Sequence, residues 1–262
     1  MPKSTYYFEI NKPNIDELKN KQIMADIEFI FNTNKSRYGF RRVTKELNKK
    51  YLINHKKVLR LMKKMNLKGK VPKEKYHSYK GDVGVVAPNL IDRNFVASRP
   101  NEKWSTDVSQ FNFPWGKCYL SPILDMYNDE IVSYDLSLNP NYEQVNRMLS
   151  KAFEKNNDLT GLIFHSDQGW QYQNQRYISS LKDKGIKQSM SRKGNCYDNC
   201  IIESFFGTLK NEMYYGQESS YKSFEEFSKA IDDYIYYFNN TRIQSKTKWM
   251  SPVEYRETSI SV

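Results

Sequence analysis

The sequence predicts a small all-helical domain followed by a larger α/β domain, which is built on a mixed five-stranded sheet with flanking helices. Three observations support this. Positive charge is concentrated in the first third of the chain, the hydrophobic pattern changes from helical to alternating near Glu102, and a polar loop followed by an amphipathic helix spans Ser189–Met213. We expect a helical DNA-binding domain over residues 1–67, a linker over 68–98 and the α/β domain over 99–262.

The charge of the chain is distributed unevenly. The 262 residues carry a net charge of +11, but residues 1–90 alone hold 21 basic and 8 acidic residues, a net charge of +13. The remaining residues are nearly neutral, at −2. Such asymmetry predicts a nucleic-acid-binding module joined to a domain with another task.

The composition also limits where the protein acts. No apolar signal-peptide core and no run of 18 apolar residues is present, so we expect no membrane contact. Three cysteines without an export signal favour the reducing cytoplasm. Cys196, Cys200 and His165 offer an alternative as zinc ligands, but a fourth ligand at zinc-like spacing is missing. A role as small buried hydrophobes fits the cysteines better.

Three helices are predicted in the first domain. They cover residues 14–33, 41–50 and 54–66, and Asn14 and Asn54 are placed to cap the first and third. The second and third helices, joined by a turn of three or four residues, match a helix-turn-helix with a basic outer face. The candidate DNA contacts on that face are Arg41, Arg42, His55, Lys56, Lys57 and Arg60. The alternative is a basic, solvated helix pair without a DNA-binding role.

The second domain begins with strands. The alternating pattern predicts a three-stranded antiparallel meander over residues 103–113, 117–126 and 130–138. Pro122 is unusual in such a strand, because it has no N–H to donate to the hydrogen-bond ladder. The elements predicted after it are a helix at 141–156, a strand at 161–167, a helix at 173–184, a strand at 186–190, a helix from about residue 200, and a long helix at 224–240. This is the element order of a ribonuclease-H-like domain.

Three acidic residues hold special positions in that order. Asp107 lies in the first strand and Asp167 ends the fourth, and these strands are neighbours in a ribonuclease-H-like sheet. The helix after the fifth strand can direct Glu203 at both. Converging carboxylates repel one another unless a cation lies among them, and hard oxygen ligands favour Mg²⁺ or Mn²⁺. Two such ions about 4 Å apart can activate the attacking oxygen and stabilise the leaving oxygen in phosphodiester displacement.

The helix that carries Glu203 has a buried face with a polar margin. Glu203, Gly207 and Lys210 form a stripe along this margin, and Asp198 or Asn199 can cap the helix. Lys210 would then face an incoming phosphate. The alternative is a surface helix in which Glu203 pairs with Lys210 and the glycine is incidental.

Further candidate DNA contacts lie beside Asp167 or in the loop before Glu203. They are His165, Arg192, Lys193, Asn195, Tyr197 and Asn199. Loop folding and helix capping are the alternative roles for Asn195 and Asn199.

Three sequence blocks carry a family resemblance: WSTDVSQF, HSDQGWQY and SRKGNCYDNCIIESFFGTLKNE. They resemble the signature blocks of DDE-type insertion-sequence transposases, most closely the second-frame protein of family three, which is akin to retroviral integrases. YGFRRVTKEL and KKVLRLMKKMNL resemble that family's helix-turn-helix, and the similarity extends from about Tyr38 to Arg256. Thr247 stands where an apolar residue is expected, which raises a question about local packing.

The resemblance implies DNA strand cleavage and transfer by Asp107, Asp167 and Glu203 with a divalent metal, in the nucleoid of a bacterial cytoplasm. It also implies oligomers on DNA and a first-frame segment, fused or separate, that works with this protein. One alternative is a DNA-binding regulator of transposition whose core no longer cuts. Another is a plain ribonuclease, which does not explain the basic helical domain.

Overall fold

The computed structural model describes Lys3 and residues 15–70 and 86–260. The chain separates into two compact units, residues 1–71 and 72–262. The predicted cap Asn14 and residues 71–85 of the predicted linker lie outside the described residues.

Residues 15–70 of the first unit contain three helices: α1 (Ile15–Thr33), α2 (Phe40–Leu47) and α3 (His55–Lys64). Their apolar faces meet in a core that includes Ile27, Phe31, Val43, Leu47, Val58 and Leu61. The Asn54 side chain accepts a hydrogen bond from the Lys56 N–H at 2.8 Å, which confirms the predicted cap of α3.

The turn between α2 and α3 is longer than predicted. Because α2 ends at Leu47, residues 48–54 separate the two helices, where the sequence suggested three or four residues. The Asn48 side chain accepts from the Ile53 N–H at 3.1 Å and closes this turn. Within the same turn, Lys50 pairs with Asp26 of α1 at 3.0 Å. These bonds hold a longer turn that helical periodicity alone does not reveal.

The second unit is built on a six-stranded mixed sheet. Its strands are β1 (Lys103–Thr106), β2 (Ser109–Phe113), β3 (Gly116–Asp125), β4 (Ile131–Ser137), β5 (Ile163–Ser166) and β6 (Lys187–Met190). The order is β2-β3-β1-β5-β6, and β4 pairs with β3. β1, β5 and β6 run parallel, whereas β3 is antiparallel to β1, β2 and β4. The predicted neighbourhood of the first and fourth strands is therefore confirmed.

Within residues 86–260, five α-helices accompany the sheet. They are α4 (Tyr142–Lys155), α5 (Gln175–Asp183), α6 (Cys200–Leu209), α7 (Phe224–Asn240) and α8 (Pro252–Ile260). Short 3₁₀ turns at Trp170–Gln173 and Cys196–Asn199 precede α5 and α6. A π-helical turn, Lys210–Tyr214, follows α6, so the predicted helix does not continue as a regular α-helix to Met213.

The first predicted strand is divided into β1 and β2. The register against β3 is the same on both sides of the break, which places Asp107 opposite Pro122. Proline has no N–H to donate, so the ladder is interrupted here. The missing donor of Pro122 therefore interrupts the ladder opposite Asp107. This break divides one predicted strand into two, so the sheet has six strands and not five.

Hydrophobic side chains pack on both faces of the sheet. One core joins β2 and β3 to α6 and α7 through Phe111, Leu120, Phe206 and Phe227, among others. The other joins β1 and β5 to α4 and α5 and includes Trp104. Mixed sheets covered by helices on both faces bury their strands in this way.

Thr247 fits its buried position despite its hydroxyl group. The side chain is fully buried, and its Oγ1 donates to the Met250 carbonyl oxygen at 2.6 Å. A buried hydroxyl with a partner costs little, so the departure from the family pattern does not disturb packing.

Across the part of the chain that the structure describes, no helix is both long enough and apolar enough to span a membrane.

Candidate active site

Asp107 and Asp167 directly follow the carboxyl ends of two adjacent parallel strands. The β1–β5 register pairs Ser105 with His165, so the same offset sets the two aspartates side by side. Asp107 accepts a hydrogen bond from the Val108 N–H at 2.7 Å, and Asp167 accepts one from the Gly169 N–H at 2.8 Å. These bonds fix one oxygen of each carboxylate.

The third carboxylate is supplied by α6, which contacts β1. Ile202, Phe205, Phe206 and Leu209 are buried, and this buried face sets the rotation of the helix. Glu203 lies at the margin of that face and is half-buried. A Cβ placed on Gly207, one turn further along, would meet no atom within 4 Å, so the space beside the helix backbone is open there.

The three carboxylates influence one another electrostatically. Burial raises the pKa of Asp107 well above its ordinary value, and the charges of Asp167 and Glu203 raise it further. Burial also raises the pKa of Asp167, and burial and then Asp167 raise that of Glu203. A Glu203–Lys210 ion pair would lower the pKa of Glu203 instead, so the surface-pair alternative for this helix is disfavoured.

The donor set fits a hard divalent cation by its chemistry, because it consists of carboxylate oxygens whose mutual repulsion such an ion would relieve. Among residues 15–70 and 86–260, however, no three His, Cys, Asp or Glu side chains stand close enough to hold one ion. The structure therefore brings the three acids to one sheet edge without gathering them into a ligand cluster.

Lys210 lies close to this edge but is mostly buried. Its Nζ donates to the Gln110 carbonyl oxygen at 3.2 Å and lies 4.9 Å from the centre of the Phe111 ring. Burial lowers its pKa, and Asp107 acts in the opposite direction. The positive charge of Lys210 in turn acts to lower the pKa of Asp107.

Two of the predicted DNA contacts, His165 and Asn199, have buried side chains, and their contact with DNA stays a prediction. Both ring nitrogens of His165 are engaged: Nδ1 lies 2.8 Å from Ser189 Oγ, and Nε2 lies 2.9 Å from the Asp198 carbonyl oxygen. These contacts also exclude His165 as a zinc ligand. Asn199 is 5% exposed, and its Oδ1 lies 3.4 Å from Ser105 Oγ.

The other loop candidates are at the surface. Lys193 is exposed, and so is Tyr197, whose ring lies 5.8 Å from the Arg93 guanidinium group. Arg192 is also exposed, but its guanidinium group binds Asp198. DNA contact by these residues stays a prediction.

Capping before α6 differs from the prediction. The Asn199 side chain forms no cap, and the carboxylate of Asp198 is occupied by arginines. The chain is already helical from Cys196, and the Asn195 side chain accepts from the Tyr197 N–H at 3.2 Å. The cap lies further upstream, and the capping alternative for Asn195 is confirmed.

In the first unit, four of the candidate DNA contacts are exposed and two are half-buried. Arg41, His55, Lys56 and Arg60 are exposed, whereas Arg42 and Lys57 are half-buried. Lys56 and Arg60 are four residues apart on α3 and therefore share one face of that helix.

We expect acid to destabilise the protein through His165. Desolvation lowers its pKa to about 4, whereas the unfolded residue titrates near about 6.5. The unfolded chain therefore binds the proton first, and about 3 kcal/mol of stability is lost as pH falls from about 6.5 to 4. Asp198 does not titrate in this range, because Arg192 holds its pKa far below the ordinary value.

The measurement is Tm against pH for the native chain and His165→Gln, in which the amide can still donate to the Asp198 carbonyl oxygen. The variant should show a flatter slope between pH 6.5 and 4. Equal slopes would contradict the assignment.

Comparisons with known proteins match both units. An HTH-like domain model matches residues 17–75, and two integrase core domain models match residues 97–196 and 203–260. The matched segments thus contain the basic helices, both aspartates and Glu203.

Three relatives show the family. InsK of insertion sequence element IS150 from Escherichia coli strain K12 is 46% identical over 98% of this chain and 90% of its own. A transposase-like protein from Haemophilus influenzae is 51% identical over 84% of this chain and 100% of its own. Transposase InsF of IS3A from E. coli K12 is 30% identical over 88% and 81%. The chain belongs to the insertion-sequence transposases that carry an HTH-like domain and an integrase core domain.

Proposed function

We propose that this transposase is a metal-dependent polynucleotidyl transferase of the DDE type, which cuts and joins DNA strands at the ends of an insertion sequence. The observation that carries the proposal is the position of Asp107 and Asp167 after adjacent parallel strands, with Glu203 near enough to raise the pKa of Asp107. Perturbed carboxylates grouped at one sheet edge mark a functional site.

Asp107, Asp167 and Glu203 would hold Mg²⁺ or Mn²⁺, and two ions suit phosphodiester displacement. When bound, such ions activate the attacking oxygen and stabilise the leaving oxygen. The protein holds one oxygen of each aspartate by a backbone N–H and sets Glu203 by packing α6. The open backbone at Gly207 leaves space for a DNA strand beside the site. Lys210 contributes positive charge near Asp107.

The alternative is a DNA-binding regulator with an inactive core. The chain has all three acids, and their negative charges repel one another in the folded protein. This favours the enzyme hypothesis, because in an inactive core the repulsion would cost stability without serving catalysis. The deciding experiment is a strand-transfer assay with a supercoiled donor that carries the element ends. Joined products that require Mg²⁺ or Mn²⁺ support the enzyme, and binding without joining supports the regulator.

The partner of the protein is DNA, both the element ends and the target, in the bacterial nucleoid. An insertion sequence has two ends that must be joined to one target, so we expect at least two copies of the chain to act together on DNA. A first-frame segment, fused to this chain or separate, is the further partner that the family resemblance implies.

We expect α3 to contact DNA phosphates through Lys56 and Arg60. Each phosphate contact adds about 0.9 to the slope of log affinity against log salt, so Lys56→Gln/Arg60→Gln should reduce that slope by about 2. The measurement is DNA binding by the full chain over a salt series. Lys229→Gln, which removes an exposed charge from α7, is the control and should leave the slope unchanged. An unchanged slope in the double variant would favour a basic helix pair without a DNA-binding role.

A further inference from the structure

Asp198 is the most heavily bonded carboxylate near the candidate site. Its side chain is fully buried and accepts from the Arg192 N–H, Nε and Nη2 at 3.1, 2.7 and 2.9 Å. It also accepts from Arg93 Nε at 3.2 Å and from Asn89 Nδ2 at 3.1 Å. A carboxylate only accepts hydrogen bonds, so it can satisfy all of these donors at once.

The backbone of Asp198 makes a second connection, to the strand that leads to Asp167. A carbonyl oxygen can only accept, so His165 Nε2 carries the proton and donates to the Asp198 carbonyl oxygen at 2.9 Å. His165 Nδ1 then accepts from the Ser189 hydroxyl, and Ser189 Oγ accepts from the Leu90 N–H at 2.9 Å. One residue thereby joins β5, β6, residues 89–93 and the loop before α6.

These bonds connect segments that carry two of the three acids. His165 precedes Asp167 by two residues, and Asp198 precedes Glu203 by five, with only one helical turn between them. The loop from Ser191 to Asn195 includes Gly194 at a φ of 70° and is mostly exposed, so little apolar packing holds it. The bonds of Asp198 therefore link β5 to the beginning of α6, the end of the helix that carries Glu203.

We infer that Asp198 is a positioning residue of the transposase, which, through His165 and the two arginines, sets Glu203 relative to Asp167. Arg93 and Asn89 extend the same network to the segment before β1, so this segment helps to assemble the site. The inference rests on the proposed role of the three acids as ligands of a divalent metal.

Asp198→Asn tests the inference. The shape of the side chain is kept, but its Nδ2 is a donor that would face the donors of Arg192, Arg93 or Asn89. The network should loosen, and Glu203 should lose its fixed position. Outer partners of metal ligands commonly change metal affinity by about 10- to 100-fold when mutated. We expect the MgCl₂ concentration that gives half of the maximal Tm increase to rise at least about 10-fold.

Asp135→Asn is the matched control. Asp135 on β4 is similarly buried, and its carboxylate accepts hydrogen bonds from Arg147 Nε and Nη2 and from Lys151 Nζ. These two cations lie on α4, so Asp135 belongs to a separate ion-pair cluster. Both variants should lower the Tm without metal, whereas only Asp198→Asn should shift the MgCl₂ midpoint. Arg93→Gln, at an exposed position, is a milder second variant and should shift the midpoint in the same direction even if Asp198→Asn does not fold.

The inference would be overturned if Asp198→Asn and Asp135→Asn shifted the MgCl₂ midpoint equally. It would also be overturned if neither Asp198→Asn nor Arg93→Gln shifted that midpoint. Glu203→Gln is measured in parallel. A normal MgCl₂ response in Glu203→Gln would mean that the proposed metal-binding function fails. Loss of the response in Glu203→Gln with a normal response in Asp198→Asn would leave the function intact and remove only the positioning role.

Discussion

Glu203→Gln is expected to abolish DNA cleavage and joining while leaving the metal-free protein as stable as the native chain, or slightly more stable. The variant keeps the size of the side chain and removes one of three neighbouring negative charges. Because the charge of Glu203 raises the pKa of Asp107, its removal relieves repulsion in the folded protein. Activity and stability should therefore change in opposite directions.

The measurement is Tm with and without MgCl₂, alongside strand transfer, on the native chain and the variant. Mg²⁺ should raise the Tm of the native chain and raise that of Glu203→Gln less, because a ligand stabilises only the state that binds it. Glu154→Gln, at an exposed position on α4, is the control for loss of a carboxylate and should behave like the native chain.

A structural Glu203 paired with Lys210 makes the opposite prediction. The variant would then keep strand transfer and lose about 0.3–0.5 kcal/mol, as a helix-surface pair does. Retained strand transfer would overturn the assignment of Glu203 to the active site. The raised pKa of Glu203 and the bond from Lys210 to Gln110 both favour the first outcome.

The sequence predicted the placement of the three acids because that placement depends on local features and element order. Alternating polarity identified the strand of Asp107, an acid after a short apolar strand identified Asp167, and helical periodicity placed Glu203 at the margin of a buried face. The parallel pairing of β1 with β5 then follows from the order of strands and helices.

Features that depend on which side chains meet across long sequence separations were not predictable. The sequence predicted Asp198 as a possible helix cap, but its carboxylate binds Arg93, 105 residues earlier in the chain. His165 was expected to contact DNA, yet it is enclosed by Ser189 and the Asp198 backbone. The local sequence contains the donors and acceptors, but only the tertiary packing determines how they pair.

The π-helical turn after α6 is a further feature that a regular helical wheel does not reveal. The turn spans Lys210–Tyr214, and within it Glu212 is buried against Tyr234 of α7. Glu212 there meets Arg242, which follows the end of α7. This buried pair has no signature in the sequence, because its members are 30 residues apart.

Arg242→Met is expected to destabilise the protein strongly, by about 3–5 kcal/mol, because it leaves a buried carboxylate without its counter-charge. The side chains of Arg242 and Glu212 are 6% and 7% exposed, and the guanidinium group binds both carboxylate oxygens at 2.9–3.2 Å. Tyr234 donates to the same carboxylate at 3.0 Å, but one hydroxyl group cannot replace a full charge.

The double variant Glu212→Gln/Arg242→Met separates the cost of an unpaired charge from the value of the pair itself. Removing both charges should restore much of the stability. The attraction within a buried ion pair is little larger than the free energy needed to desolvate its two charges. Arg147→Met is the control: Arg147 is 49% exposed, and Lys151 remains with Asp135, so the loss should not exceed about 1 kcal/mol. Chemical unfolding of the native chain, Glu212→Gln, Arg242→Met and the double variant measures the cycle, with Arg147→Met as a fifth protein for the control. If Arg242→Met costs no more than Arg147→Met, Glu212 is not held as a buried anion, and α7 is then anchored to the π-helical turn by apolar packing alone.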